Sequence, residues 1–126
     1  MSETSSASGT GQPPGSFPVA SRKIVAQSPE VQVKEYLLAA GEQVPWHHHS
    51  VVSDVFYCLE GRLTVQRTDV ATRRKLEDIV LRQGESAKVE PGTAHCPTNR
   101  EQANCRFLLV QGGGRYDFLS FTPAAA

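Results

Sequence analysis

The chain has 126 residues, thirteen Lys and Arg against thirteen Asp and Glu, and a formal net charge of zero. That length allows one domain with a single core and is too short for two. Balanced charge with no block of one sign excludes the electrostatic footprint of nucleic-acid binding and a basic membrane-docking patch, and no apolar run approaches the ~20 residues of a membrane-spanning helix.

In chain order, residues 1–17 are mostly Ser, Thr, Gly, Pro and Gln, with almost no large apolar side chains. Such a segment cannot bury enough surface to offset its ordering entropy, so a disordered tail is predicted there. The folded domain is assigned to residues 18–126, with a frayed Pro-Ala-Ala-Ala end. Within it no stretch keeps apolar i, i+3, i+4, i+7 spacing over three turns, while Gly and Pro recur often. Short β-rich runs take the place of helices. They cover Val31 to Ala40, Val44 to His49, Asp54 to Leu59 and Arg62 to Arg67, the last two joined at Glu60-Gly61 as a hairpin. Lys75 to Leu81, Ser86 to Val89, Cys105 to Gln111 and Tyr116 to Phe121 follow. Seven or eight strands separated by turns predict an all-β, antiparallel sandwich or barrel. The run Phe107-Leu108-Leu109-Val110 is apolar on both faces, so one face is expected in the core and the other under a second sheet or subunit.

Cys58, Cys96 and Cys105 are odd in number, widely spaced and without a CxxC pair. No leading apolar segment resembles a signal peptide, so a reducing cytoplasm and three buried thiols are expected. Cys96 draws notice because it directly follows a histidine.

The chemistry concentrates in two segments, Gly41 to Gly61 and Gly84 to Asn99, which hold all four histidines. On a strand His47 and His49 point the same way and can chelate one ion, while His48 points to the opposite face. Asp54 lies an odd number of positions further on, so Ser50 to Ser53 must form a turn or bulge that resets the alternation and brings Asp54 onto the neighbouring strand. Asp54, Phe56 and Cys58 then share the inward face, and Tyr57 packs outside. In the second segment a Pro91-Gly92 turn delivers His95 onto a strand facing the first pair. Lys88 and Arg62 are read as solvated, Glu90 as a turn residue on the rim, and Tyr116 as a core-closing ring with a cavity cap as the alternative.

These two segments resemble the paired motifs of the cupin superfamily. Gly41 is followed by five residues and His47-x-His49, then four residues, Asp54, six residues and Gly61. Gly84 is followed by five residues, Glu90-Pro91-Gly92, two residues, His95, three residues and Asn99. Asp54 stands where the motif has Glu, and Glu90 where it has Pro. The resemblance implies an antiparallel jelly-roll (cupin) β-barrel in which His47, His49, Asp54 and His95 bind a divalent transition metal. Imidazole with one carboxylate and no thiolate is compatible with Fe, Mn, Ni, Zn or Cu. It also implies a small-molecule substrate or ligand, and a homodimer using apolar faces at Trp46, Tyr57 and Leu108. An open metal site of this kind supports dioxygenase-type chemistry or, as a Lewis acid, isomerase or lyase chemistry. The alternative is a non-catalytic small-molecule-binding cupin.

Overall fold

The computed structural model describes residues 18–123, and ten strands account for its regular structure. They are β1 (Ser21–Gln27), β2 (Val31–Leu38), β3 (His47–His48), β4 (Ser53–Glu60), β5 (Arg62–Asp69), β6 (Lys75–Arg82), β7 (Ser86–Val89), β8 (Thr93–Thr98), β9 (Cys105–Gly112) and β10 (Leu119–Ser120). All ladders are antiparallel and fall into two five-stranded sheets, ordered β1-β2-β9-β4-β7 and β10-β3-β8-β5-β6. Among the described residues no ladder joins one sheet to the other, so the jelly roll is a sandwich and not a closed barrel. The expected tail at residues 1–17 lies outside the described residues, as do residues 124–126. Among the described residues no helix is long and apolar enough to cross a membrane.

Alternation along the strands builds the core between the sheets. In β4, Asp54, Phe56 and Cys58 are buried while Tyr57 is exposed, as the period of two demands. In β9, Cys105, Phe107, Leu109 and Gln111 are buried, and Leu108 and Val110 on the other face remain half-buried. Phe107 stacks on Tyr36 of β2 with ring centroids 5.1 Å apart and touches Phe56 at 5.7 Å. Each such fully buried aromatic contributes roughly 1.5–3 kcal/mol relative to an exposed one. Cys58, Cys96 and Cys105 are all buried and free, as expected of small hydrophobes.

Several boundaries differ from the sequence-based reading, each for a local reason. Glu60-Gly61 is not a hairpin. β4 pairs with β7 and β9, whereas β5 pairs with β6 and β8, so the chain crosses between sheets at Gly61. Gly61 has φ +81°, and a Cβ there would lie 2.5 Å from the Asn104 carbonyl oxygen. Only glycine combines that conformation with that approach. The strand expected over Val44 to His49 shrinks to His47–His48, because Pro45 has no N–H to give to a ladder. Val44 still donates its N–H to the Pro97 carbonyl at 2.8 Å. The strand expected over Tyr116 to Phe121 shrinks to Leu119–Ser120, since residues 115–118 turn towards the histidines. β1 was not foreseen, for all seven of its residues are exposed and show no alternation. Trp46 packs against Phe121, with centroids 6.0 Å apart. It therefore lies apart from Tyr57 and Leu108, which are cross-strand partners on the outer face of the first sheet.

Candidate metal centre

His47 and His95 are direct partners across the β3–β8 ladder, which sets two imidazoles side by side with centroids 4.4 Å apart. His49 follows β3 and points the same way as His47, with centroids 5.0 Å apart. Asp54 comes from β4, which belongs to the facing sheet and not to a strand beside β3. The turn at Ser50 to Val52 therefore carries the chain across the sandwich. All four side chains are buried, with exposures of 3%, 2%, 0% and 1% for His47, His49, Asp54 and His95. One donor atom from each lies within 4.8 Å of the others. His48 is half-buried on the opposite side, as alternation requires.

Each buried imidazole has its Nδ1 tied to a backbone carbonyl. His47 Nδ1 donates to Pro45 O at 2.7 Å, His95 Nδ1 to Thr93 O at 2.9 Å, and His49 Nδ1 to Asp117 O at 2.5 Å. These contacts fix the tautomer and leave the three Nε2 lone pairs converging on the Asp54 carboxylate. Asp54 Oδ2 lies 3.1 Å from His49 Nε2 and 2.8 Å from His95 Nε2, while Oδ1 accepts from Gln111 Nε2 at 3.0 Å. With Nδ1 protonated, Nε2 and Oδ2 attract only if a proton or a metal cation lies between them. The donor set therefore fits a divalent ion, and the free thiols stand aside. Cys96 alternates away from His95 and has Thr98 Oγ1 at 3.5 Å.

The electrostatics agree. Burial pushes the His47 pKa down to about 3, with the neighbouring His95 adding to the shift, so this ring is a neutral donor at physiological pH. Burial alone would raise Asp54, but hydrogen bonds from His49 and His95 hold its carboxyl well below the usual carboxylate range. Burial likewise opposes a charged His49, yet its contact with Asp54 wins and moves that pKa up.

The segment after β9 closes one side of the cluster, and its role was not legible in the sequence. Phe118 stacks on His47 with centroids 4.3 Å apart and planes at 11°, and Tyr116 lies 5.5 Å from His49. Asp117 holds Ser50 through both its N–H, at 2.9 Å, and its hydroxyl. Tyr116 is 40% exposed and lines the mouth of a cleft bounded by His47, Asp54 and Phe118, so it caps a cavity and does not close the core. Lys88 and Arg62 are exposed. Glu90 is a rim turn residue whose carbonyl accepts from Thr93 N at 3.2 Å.

Comparison with known proteins gives one family and a set of folds. The family model described as a cupin domain matches residues 34–111. Among curated proteins, none matches the chain significantly. A conserved Klebsiella pneumoniae protein with a double-stranded β-helix domain superposes with a TM-score of 0.69 at 19% identity, covering 85% of this chain and 89% of that one. KdgF from Halomonas sp. gives 0.62 at 20% identity, with coverage of 75% and 78%. An oxalate oxidase gives 0.64 at 20% identity, covering 72% of this chain and 46% of that one. Likeness at these identities shows a shared fold.

Proposed function

The chain belongs to the cupin domain family, and on that premise we propose that it is a metal-dependent cupin acting on a small, oxygen-rich molecule. The proposed ligands are His47, His49, Asp54 and His95. The observation that carries the proposal is the convergence of three Nε2 lone pairs and one carboxylate within 4.8 Å, every ring locked from behind by a backbone carbonyl.

A divalent ion bound there supplies Lewis acidity and, if it is redox-active, a site for oxygen chemistry. The protein's own groups do the rest. Pro45, Thr93 and Asp117 hold the rings in the donor tautomer. Asp54 supplies the negative charge, and its Oδ1 is kept in place by Gln111. Phe118 shields one face of His47. Because His47 and Asp54 also line the cleft, the cluster is approached from that side. A protein with this fold is an oxalate oxidase, which is compatible with an oxygen-dependent version of the reading.

Metal analysis of protein purified without an affinity tag tests the centre. One equivalent of a divalent transition metal is expected in the wild type and much less in His47→Ala. Equal metal content in the two proteins would refute the ligand set. Turnover under strict anaerobiosis would exclude the oxygen-dependent version and favour isomerase or lyase chemistry.

A further inference from the structure

Two cavities meet at the segment that follows β9. The inner one lies against the metal ligands, bordered by His47, Asp54 and Phe118 together with Arg22 of β1 and Lys34 of β2. Its volume of about 20 Å³ has room for one water molecule. The outer one measures about 210 Å³ and runs between the β1–β2 turn, at Ser28 to Gln32, and residues 114–116. It has space for a small organic molecule, which the inner chamber lacks. Gln111 and Tyr116 border both cavities and so form the partition between them.

The two partition residues differ in how firmly they are held. Gln111 sits in β9 between β2 and β4, opposite Gln32 and Asp54, and its Nε2 donates to Asp54 Oδ1 at 3.0 Å. Ladders on both sides fix its backbone, and that bond fixes its side chain. Tyr116 belongs to no strand. Its ring meets the Lys34 ammonium at 5.0 Å and the His49 ring at 5.5 Å, and among the described residues its hydroxyl has no hydrogen-bond partner. Because the residue is 40% exposed, a change of χ1 rotamer has solvent to turn into and no packed core to displace. The next residue is pinned. Asp117 O accepts from His49 Nδ1 at 2.5 Å, and the Asp117 carboxylate accepts from the Ser50 N–H at 2.9 Å. The ring is therefore the loose part of the partition, mounted on a fixed post.

We propose that Tyr116 sets the size of what reaches the metal ligands: with its ring in place only a water-sized molecule fits beside them, and when the ring swings out the two cavities join and admit a small organic molecule from the outer one. The assignment rests on the metal-cupin reading for its setting, and it adds the residue that selects by size which molecules meet the cluster.

The test uses the full chain loaded with Co(II), whose visible absorption changes when a ligand enters its coordination shell. Neutral imidazole is the probe, since it is larger than water and carries no charge for Arg22 or Lys34 to steer. Tyr116→Ala should bind it about tenfold more tightly than the wild type, whose apparent affinity is scaled down to the fraction of molecules with the ring swung out. Benzimidazole should gain more than imidazole, a size dependence that altered metal affinity alone does not produce. Tyr116→Phe, which keeps the ring, and Tyr57→Ala, which removes an exposed ring from the outer face, should match the wild type. Circular dichroism checks that each variant is folded, and Tyr116→Leu replaces Tyr116→Ala should the latter misfold, with a gain in the same direction. Equal imidazole affinity in the wild type and Tyr116→Ala, with stoichiometric Co(II) in both, would overturn the proposal and leave the centre standing. A Tyr116→Phe variant as open as Tyr116→Ala would overturn it too. If no Co(II) binds, the metal reading fails by itself, and the partition is read in the metal-free protein from the modification of His47, His49 and His95 by diethyl pyrocarbonate, followed by peptide mass spectrometry. Tyr116→Ala should then speed those three sites about tenfold while His48, which faces away, reacts equally in both proteins. Equal rates at the three buried rings overturn the proposal.

Discussion

Asp54→Asn separates the two roles that its carboxylate combines. In the metal-free protein the Nδ1 atoms of His49 and His95 are engaged by backbone carbonyls, so their Nε2 lone pairs face Asp54 Oδ2 at 3.1 and 2.8 Å. Neutral rings cannot hydrogen-bond that oxygen, so the contact that raises the His49 pKa is one that its protonated ring makes. An asparagine amide in the same place offers two N–H groups to the two Nε2 acceptors, while its oxygen still accepts from Gln111. The metal-free variant should therefore melt within a few degrees of the wild type at neutral pH. Asp54→Ala strands Gln111 Nε2 and costs about 1–3 kcal/mol, or roughly 4–8 °C per kcal/mol in a domain of about 100 residues. With metal the order changes. At a free metal concentration one hundred times the dissociation constant the wild type gains about 2.7 kcal/mol, and a variant bound a hundredfold more weakly gains only about 0.4 kcal/mol. The assay is differential scanning calorimetry of EDTA-treated and Zn(II)-loaded samples. A full metal-induced shift in Asp54→Asn would show that Asp54 is not a ligand. A metal-free Asp54→Asn as unstable as Asp54→Ala would defeat the lone-pair argument.

Three further predictions follow from the same geometry. His48 is turned away from its neighbours, so His48→Ala should retain wild-type metal stoichiometry by elemental analysis, and lost metal would contradict the alternation. Burial, reinforced by Arg22 and opposed by Asp54, lowers the Lys34 pKa to about 8. Stability should rise between about 8 and 10.5, where the unfolded chain still holds the proton that the native state has released. Urea titrations at a series of pH values, compared with Lys34→Met, check the sign. Asn99 is buried and donates to Leu38 O at 3.1 Å and Ala103 O at 2.8 Å, and it accepts from Glu101 N at 2.9 Å. Asn99→Ala should cost about 2–4 kcal/mol in urea unfolding through unmet buried groups yet leave metal stoichiometry intact, because His95 lies about 13 Å away along the strand.

What the sequence made legible was whatever short-range periodicity encodes. The two-residue offset of His47 and His49, the outward turn of His48 and Tyr57, and the inward face of Asp54, Phe56 and Cys58 all follow from pleating. The Pro91-Gly92 turn placed His95, and the resemblance to the family motif placed Asn99. The supports of the site were hidden because they arrive from far along the chain. Asp117 reaches His49 across 68 positions and Gln111 reaches Asp54 across 57, and no local pattern announces either contact. Arg22 went unnoticed because β1 is exposed throughout and reads as loop. No sequence signal singles out Lys34, whose place beside the cluster follows from the β1–β2 ladder. The Glu60-Gly61 hairpin failed because a glycine bend between two strands looks the same whether the chain folds back on itself or crosses to the other layer.

The donor set draws on both layers: three imidazoles come from one sheet and the carboxylate from the other. An ion seated between them acts as a rivet through the sandwich at its cleft end. Splaying the layers at that end then means breaking coordinate bonds, whereas the far end is joined by the chain itself where it crosses at Gly61. Loading and unloading the ion would in this way set how freely one end of the molecule breathes, and with it how readily a guest enters or leaves.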